Sequence, residues 1–198
     1  MKIAIFGGSF NPIHNAHIKL AKRFLDEIAL DKVIFVPTFF TPLKDNSEVV
    51  APEHRLNMCN FAVKKYEKFE VSDIEIRRKG MSYSCDTIAY FKEMYPDAEV
   101  FFIMGADMFL TLEKWHNFEY IFENAILLTA PRDDCSYKEL CAKYREYKKY
   151  ECKAYITKEI IEDLSSTFLR YCIKNNRDVS NYLNSDVISY IDMNDLYR

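Results

Sequence analysis

The sequence has few of the features that mark several large protein classes. No stretch rich in Gly, Ser or Pro marks a linker, and no internal repeat or low-complexity tract appears in its 198 residues. Six cysteines (Cys59, Cys85, Cys135, Cys141, Cys152, Cys172) include no CxxC pair. Cys135, Cys141 and Cys152 match no zinc-ligand ladder, so free thiols are expected. The apolar run in MKIAIFGGSF is only a few residues long before two glycines, too short for a signal peptide or a membrane span. A cytoplasmic location without a membrane partner is the expectation. No charge of one sign dominates: 27 Lys and Arg stand against 30 Asp and Glu, a formal net charge of -3, which disfavours nucleic acid as a partner. The chain also lacks GxGxxG and GxxxxGKS, so it announces neither a dinucleotide redox fold nor a P-loop NTPase.

What is present is a globular composition of 49% hydrophobic residues, with 14 Tyr and 15 Phe. The length fits one domain, 1–198. Short β-rich runs recur at Lys2 to Phe6, Lys32 to Val36, Phe69 to Val71, Val100 to Met104 and Ala125 to Thr129, with a last one near Lys153 to Ile156. Between them, Ala16 to Ala29, Pro52 to Tyr66 and Asp86 to Tyr95 space apolar residues three and four apart, as amphipathic helices do. Alternating strand and helix, with nearly unbroken apolar strands, predicts an α/β fold with a doubly wound parallel sheet. Arg132 to Glu151 reads as a solvated helix, and Arg77 to Lys79 as a solvated turn before Gly80. From Asn176 the chain reads as a small helical appendage whose Val187, Ile188 and Ile191 form an apolar stripe.

Two segments carry chemistry. The first, GGSFNPIHNAH (Gly7 to His17), leaves the first strand and enters the first helix, where open parallel sheets bind ligands. Its glycines let the backbone approach a ligand, and the helix N-terminus adds partial positive charge, which suits phosphate. His14 and His17 lie three residues apart, so both project toward that loop. An imidazole there can donate to a phosphate oxygen when neutral, or add charge when protonated. The second segment, LSSTFLR, places Ser165, Ser166 and Thr167 at a helix start, with Arg170 one turn on, a second anion cup. Taken alone, the histidine pair reads more readily as helix-capping or half-buried residues, and LSSTFLR as an ordinary capped helix with a surface arginine; the loop context and the presence of two such cups turn the reading toward phosphate.

Together with Pro42 and Lys44, Arg55 and Met58, GMSYSCDT (Gly80 to Thr87), FIMGAD (Phe102 to Asp107) and Trp115, these segments run almost end to end along the chain. In that order and spacing the chain resembles the bacterial nicotinate mononucleotide adenylyltransferase family. That family lies within the superfamily whose HxGH-type loop is shared with class I aminoacyl-tRNA synthetases. The resemblance implies a Rossmann-like fold and transfer of AMP from ATP, with its magnesium, to nicotinate mononucleotide. It implies that His14, His17, Lys44 and Arg170 are catalytic. ATP would contact Gly7, Gly8, Ser9, Phe10, both histidines, Gly105, Asp107, Ser165, Ser166, Thr167 and Arg170. The acceptor would contact Asn11, Lys44, Tyr83, Ser84, Asp107, Trp115 and His116, with the indole stacked on the pyridine ring and backbone amides receiving the carboxylate. No metal is assigned to protein side chains.

Physical readings beside these stay open. Trp115 offers a face to a pyridinium but also reads as a core aromatic, and Asp107 fits a ribose ligand or a helix N-cap. The chain departs from the family pattern at Ala16 (usually Gly), Leu43 (often His), Ser84 (Thr) and Pro131–Arg132 (usually Arg-Pro), so no role passes to Arg132. Nicotinamide mononucleotide or phosphopantetheine as acceptor, or a noncatalytic nucleotide sensor, are the alternatives. A tRNA synthetase fragment would need a KMSKS-like loop and a basic surface, and the sequence has neither. Oligomeric state is not written in the sequence.

Overall fold

A computed structural model describes residues 1–42, 49–132, 134–160 and 164–198. Six short runs of apolar and β-branched residues form strands β1 (Lys2–Gly8), β2 (Lys32–Pro37), β3 (Phe69–Val71), β4 (Glu99–Ile103), β5 (Ile126–Thr129) and β6 (Ala154–Ile156). They pair in the order β3-β2-β1-β4-β5-β6, every pair parallel. This is a doubly wound sheet whose topological switch point lies between β1 and β4.

Both faces are apolar because successive side chains point to opposite sides. Ala4, Phe6, Val33, Phe35, Phe101 and Ile103 face one core. Helices α1 (Asn15–Glu27), α2 (Pro52–Val63), α8 (Ser166–Lys174) and α9 (Ser185–Met193) cover it. Ile3, Ile5, Ile34, Val36, Val100 and Phe102 face the other core. That side is covered by α4 (Ser84–Met94), α5 (Ala106–Leu110), α6 (Phe118–Asn124) and α7 (Asp134–Tyr147). Among the described residues no helix is long and apolar enough to cross a membrane.

Three segments differ from the expectation. Arg77 and Arg78 close a short helix, α3 (Ile74–Arg78), with Lys79 at φ 60° and Gly80 at φ 75° turning the chain out of it. Helix α7 is solvated on one side but docks through Leu140 and Tyr147, whose hydroxyl donates to the Phe109 carbonyl at 2.7 Å. In the C-terminal segment only Ser185–Met193 is helical. There Val187 and Ile191 are fully buried, each stabilising by roughly 1.5–3 kcal/mol. Cys59, Cys85, Cys152 and Cys172 are buried free thiols, and Cys141 is a half-buried one.

Candidate active site

The loop after β1 is shaped from beneath. Phe10, at φ 46°, turns its ring into the core beside Phe6 (centroids 5.5 Å apart) and edge-on to His17 (5.1 Å). A Cβ on Gly8 would stand 3.1 Å from that ring, so any larger residue would have to push the ring aside by a few tenths of an ångström. Arg55, fully buried, donates to three carbonyls: Ser9 (2.8 Å), Val50 (3.0 Å) and Phe39 (3.2 Å). A guanidinium spent wholly on main-chain oxygens fixes the loop's path.

His14 occupies the N-cap position of α1 and His17 its first turn, and their rings stack at 3.7 Å. The His14 backbone N–H donates to His17 Nδ1 at 3.2 Å. Since Nδ1 is the acceptor, the neutral His17 ring carries its proton on Nε2. His14 is buried, and burial, with the Arg132 guanidinium nearby, lowers its pKa from 6.5 to about 3. At neutral pH His14 is therefore an uncharged hydrogen-bonding ring.

The second cup adjoins the first. Ser165 caps α8, its hydroxyl accepting from the Phe168 N–H at 3.1 Å. The Ser166 hydroxyl donates to the Pro12 carbonyl at 3.0 Å, and Arg170 Nη1 donates to the Asn11 carbonyl at 3.1 Å. Arg170 Nη2 also donates to the Thr167 hydroxyl at 3.4 Å. All three cup hydroxyls are thus engaged, Ser166 across to the first loop and Ser165 and Thr167 within α8, which leaves the first amides of α8 as the donors that suit an anion.

Across the switch point, Tyr83 is the N-cap of α4 and Ser84 its first residue, so uncovered amides end there. Tyr83 packs on exposed His116, with centroids 4.3 Å apart. Trp115 is half-buried, edge-on to Phe102 at 6.5 Å, and its indole N–H has no protein acceptor among the described residues. Asp107 sits in the first turn of α5, whose N-cap is Gly105, so the N-cap alternative for Asp107 falls. A Cβ on Gly105 would come within 2.8 Å of the Asp107 carboxylate, so a side chain there would displace that carboxylate.

Every residue named as a site candidate from the sequence, except Lys44, lines one cavity of ≈ 950 Å³. Lys44 lies outside the described residues. The same cavity is lined by Arg132 and Glu75, which the sequence reading left without a role. Arg132 follows the carboxyl end of β5, close enough to His14 for its charge to be felt there, and its Nη2 is 3.7 Å from where a Gly105 Cβ would be. The signal that finds it is positional, a cation just past a strand end beside the switch point. Glu75 is buried on the short α3, and its Oε1 accepts from the Thr87 hydroxyl at 2.5 Å. Burial pushes its carboxyl above the ordinary range, against the pull of that bond. Among the described residues no three His, Cys, Asp or Glu side chains converge as a metal site would require.

At its switch point the parallel sheet brings two helix starts and an aromatic recess together around one cavity, an arrangement that suits a nucleotidyltransferase. The cytidylyltransferase-like family model matches residues 5–171, and the chain belongs to that family, within it to the nicotinate-nucleotide adenylyltransferases. A "Probable nicotinate-nucleotide adenylyltransferase" of Clostridium tetani is 34% identical over 198 residues, covering 100% of this chain and 99% of the relative. Its counterpart in Aliarcobacter butzleri is 39% identical over 170 residues, 86% of each chain. The fold is also similar to that of the Plasmodium falciparum nicotinic acid mononucleotide adenylyltransferase complexed with NaAD. That match has TM-score 0.77 and 21% identity, and covers 99% of this chain and 97% of the other.

Proposed function

We propose that the chain transfers AMP from ATP to nicotinate mononucleotide, giving nicotinate adenine dinucleotide and pyrophosphate. The observation that carries this reading is the Arg170 to Asn11 contact. It joins the two anion cups, 159 residues apart in sequence, into one cradle facing an aromatic recess. In the proposed reaction a 5′-phosphate oxygen of the acceptor bonds to the α-phosphorus of ATP as the bond from that phosphorus to the β-phosphate oxygen breaks. The nucleophile is already ionised, so no general base is needed. Catalysis is alignment plus stabilisation of charge on the α-phosphate and the leaving pyrophosphate. His17 Nε2–H, His14, Arg170 and the α8 amides supply the donors, and Arg132 adds a further positive charge. Lys44 is proposed to act beside them.

Magnesium belongs to the ATP substrate, where it would offset triphosphate charge, and the exposed Asp107 carboxylate lining the cavity suits a nucleotide ribose or the acceptor. On the acceptor side, the α4 amides at Tyr83 and Ser84 suit a carboxylate, and the indole face of Trp115 suits a pyridinium. A cytoplasmic location belongs to this reading, since ATP is the donor. The test is to supply ATP and magnesium with nicotinate mononucleotide, nicotinamide mononucleotide or phosphopantetheine, and to measure pyrophosphate release. Nicotinate mononucleotide is expected to give the highest kcat/KM. A higher value for either rival would overturn the acceptor assignment.

A further inference from the structure

A buried glutamate beside the aromatic recess grips the start of α4. Glu75 lines the cavity yet is only 4% exposed, and its Oε1 accepts from the Thr87 hydroxyl at 2.5 Å. Arg78, on the same short α3, donates through Nη2 to the Thr87 oxygen at 3.4 Å, which leaves the hydroxyl's single proton for the carboxyl. The competing acceptor is the Tyr83 carbonyl, 3.4 Å from Thr87 Oγ1. That carbonyl already takes the Thr87 N–H at 3.3 Å, closing the first turn of α4. Just before the helix, Ser82 is tied to the segment after β2. Its N–H donates to the Phe40 carbonyl at 2.8 Å, and its Oγ accepts the Phe39 N–H at 2.9 Å. Tyr83 and Ser84 are thus held from both sides. Burying a carboxyl is an unfavourable way to anchor a helix, which points to a role beyond stability.

The Tyr83 C=O and the Ser84 N–H belong to one planar peptide, so whatever sets the direction of one sets the other. A threonine hydroxyl that bonds back to the carbonyl four residues earlier bends a helix at that turn. We infer that Glu75 is a positioning residue for the acceptor's carboxylate: by accepting from the Thr87 hydroxyl it keeps that hydroxyl off the Tyr83 carbonyl, and so aims the Ser84 N–H out of the start of α4. Both Tyr83 and Ser84 line the cavity. The inference rests on the proposed reading that the α4 amides receive a carboxylate.

The test measures KM for each substrate, kcat and the thermal unfolding midpoint in Glu75→Gln, Glu75→Leu and the double variant Glu75→Leu with Thr87→Val. Glu75→Gln keeps an acceptor oxygen for Thr87, so its acceptor KM is expected to stay within about twofold of wild type. Glu75→Leu keeps bulk in the buried position and removes the acceptor, which turns the Thr87 hydroxyl to the Tyr83 carbonyl. It is expected to raise the KM for nicotinate mononucleotide roughly fivefold to tenfold, as loss of one aligned hydrogen bond does, and to leave the ATP KM within about twofold. Adding Thr87→Val removes the competing hydroxyl, so the double variant should return the acceptor KM to within about twofold of wild type, whatever its midpoint. A merely structural glutamate predicts the opposite, since a second buried change would add to the first. A wild-type acceptor KM in Glu75→Leu, a double variant as impaired as Glu75→Leu, or a Glu75→Gln variant as impaired as Glu75→Leu would each overturn the inference. The same assays with nicotinamide mononucleotide separate the two readings. If the wild type does not favour the acid, the acceptor assignment falls and takes this role with it. If it does and Glu75→Leu leaves the acceptor KM alone, only the role of Glu75 falls.

Discussion

At the scale of single residues, the two histidines that look alike in sequence do different work. His17 exposes an edge to the cavity with its tautomer set by the His14 backbone, whereas His14 is buried and uncharged at neutral pH. Replacing His17 or Arg170 by Ala is expected to lower kcat at least about a hundredfold, the scale of losing one donor to developing charge. Pyrophosphate release checks it, and near-wild-type rates in both variants would remove the phosphate roles assigned here. His14 makes a stability prediction whose sign is fixed. Between about pH 6.5 and 3 the unfolded chain binds a proton there and the folded chain does not, so stability falls as pH falls through that window. Relative to a His14→Gln variant, the wild type should lose about 1.4 kcal/mol per pH unit below 6.5, measured by urea unfolding at several pH values.

At the scale of elements, strands and long helices were legible because each one's apolar spacing matches its burial. The run Lys2 to Phe6 sits within β1, and Pro52 opens α2 as its fixed φ allows. Helix α3 was missed because its buried residue is a glutamate, a polar residue that no apolar period reveals. Caps were legible through their chemistry: Ser165 does cap α8. Ser165→Ala is expected to cost about 1 kcal/mol of unfolding free energy by loss of that bond. It should also weaken ATP binding, because the cap sets the direction of the amides that face the cavity. Thermal unfolding with and without ATP separates the two effects. An unchanged shift on adding ATP would show that the cap matters to the helix alone.

At the scale of the whole molecule, what spacing could not reveal is which distant segments meet. Nothing in the local pattern of residues 7–17 specifies Ser166 or Arg170 as neighbours. Those contacts arise because β1 lies in the middle of the sheet and α8 and α9 pack on the face that α1 covers. Resemblance supplied the pairing of the two cups, and the fold supplied its geometry and added Arg132. A cradle closed across 159 residues should respond to its ligand as one unit. Binding of a nonhydrolysable ATP analogue is expected to slow hydrogen exchange at amides 8–17 and 166–170 together, while exchange across β6 (Ala154–Ile156), on the far sheet edge, stays as in the free protein. Protection confined to one of the two stretches would mean that the triphosphate rests on one cup. The contacts of Arg170 and Ser166 would then brace the loop without sharing the charge.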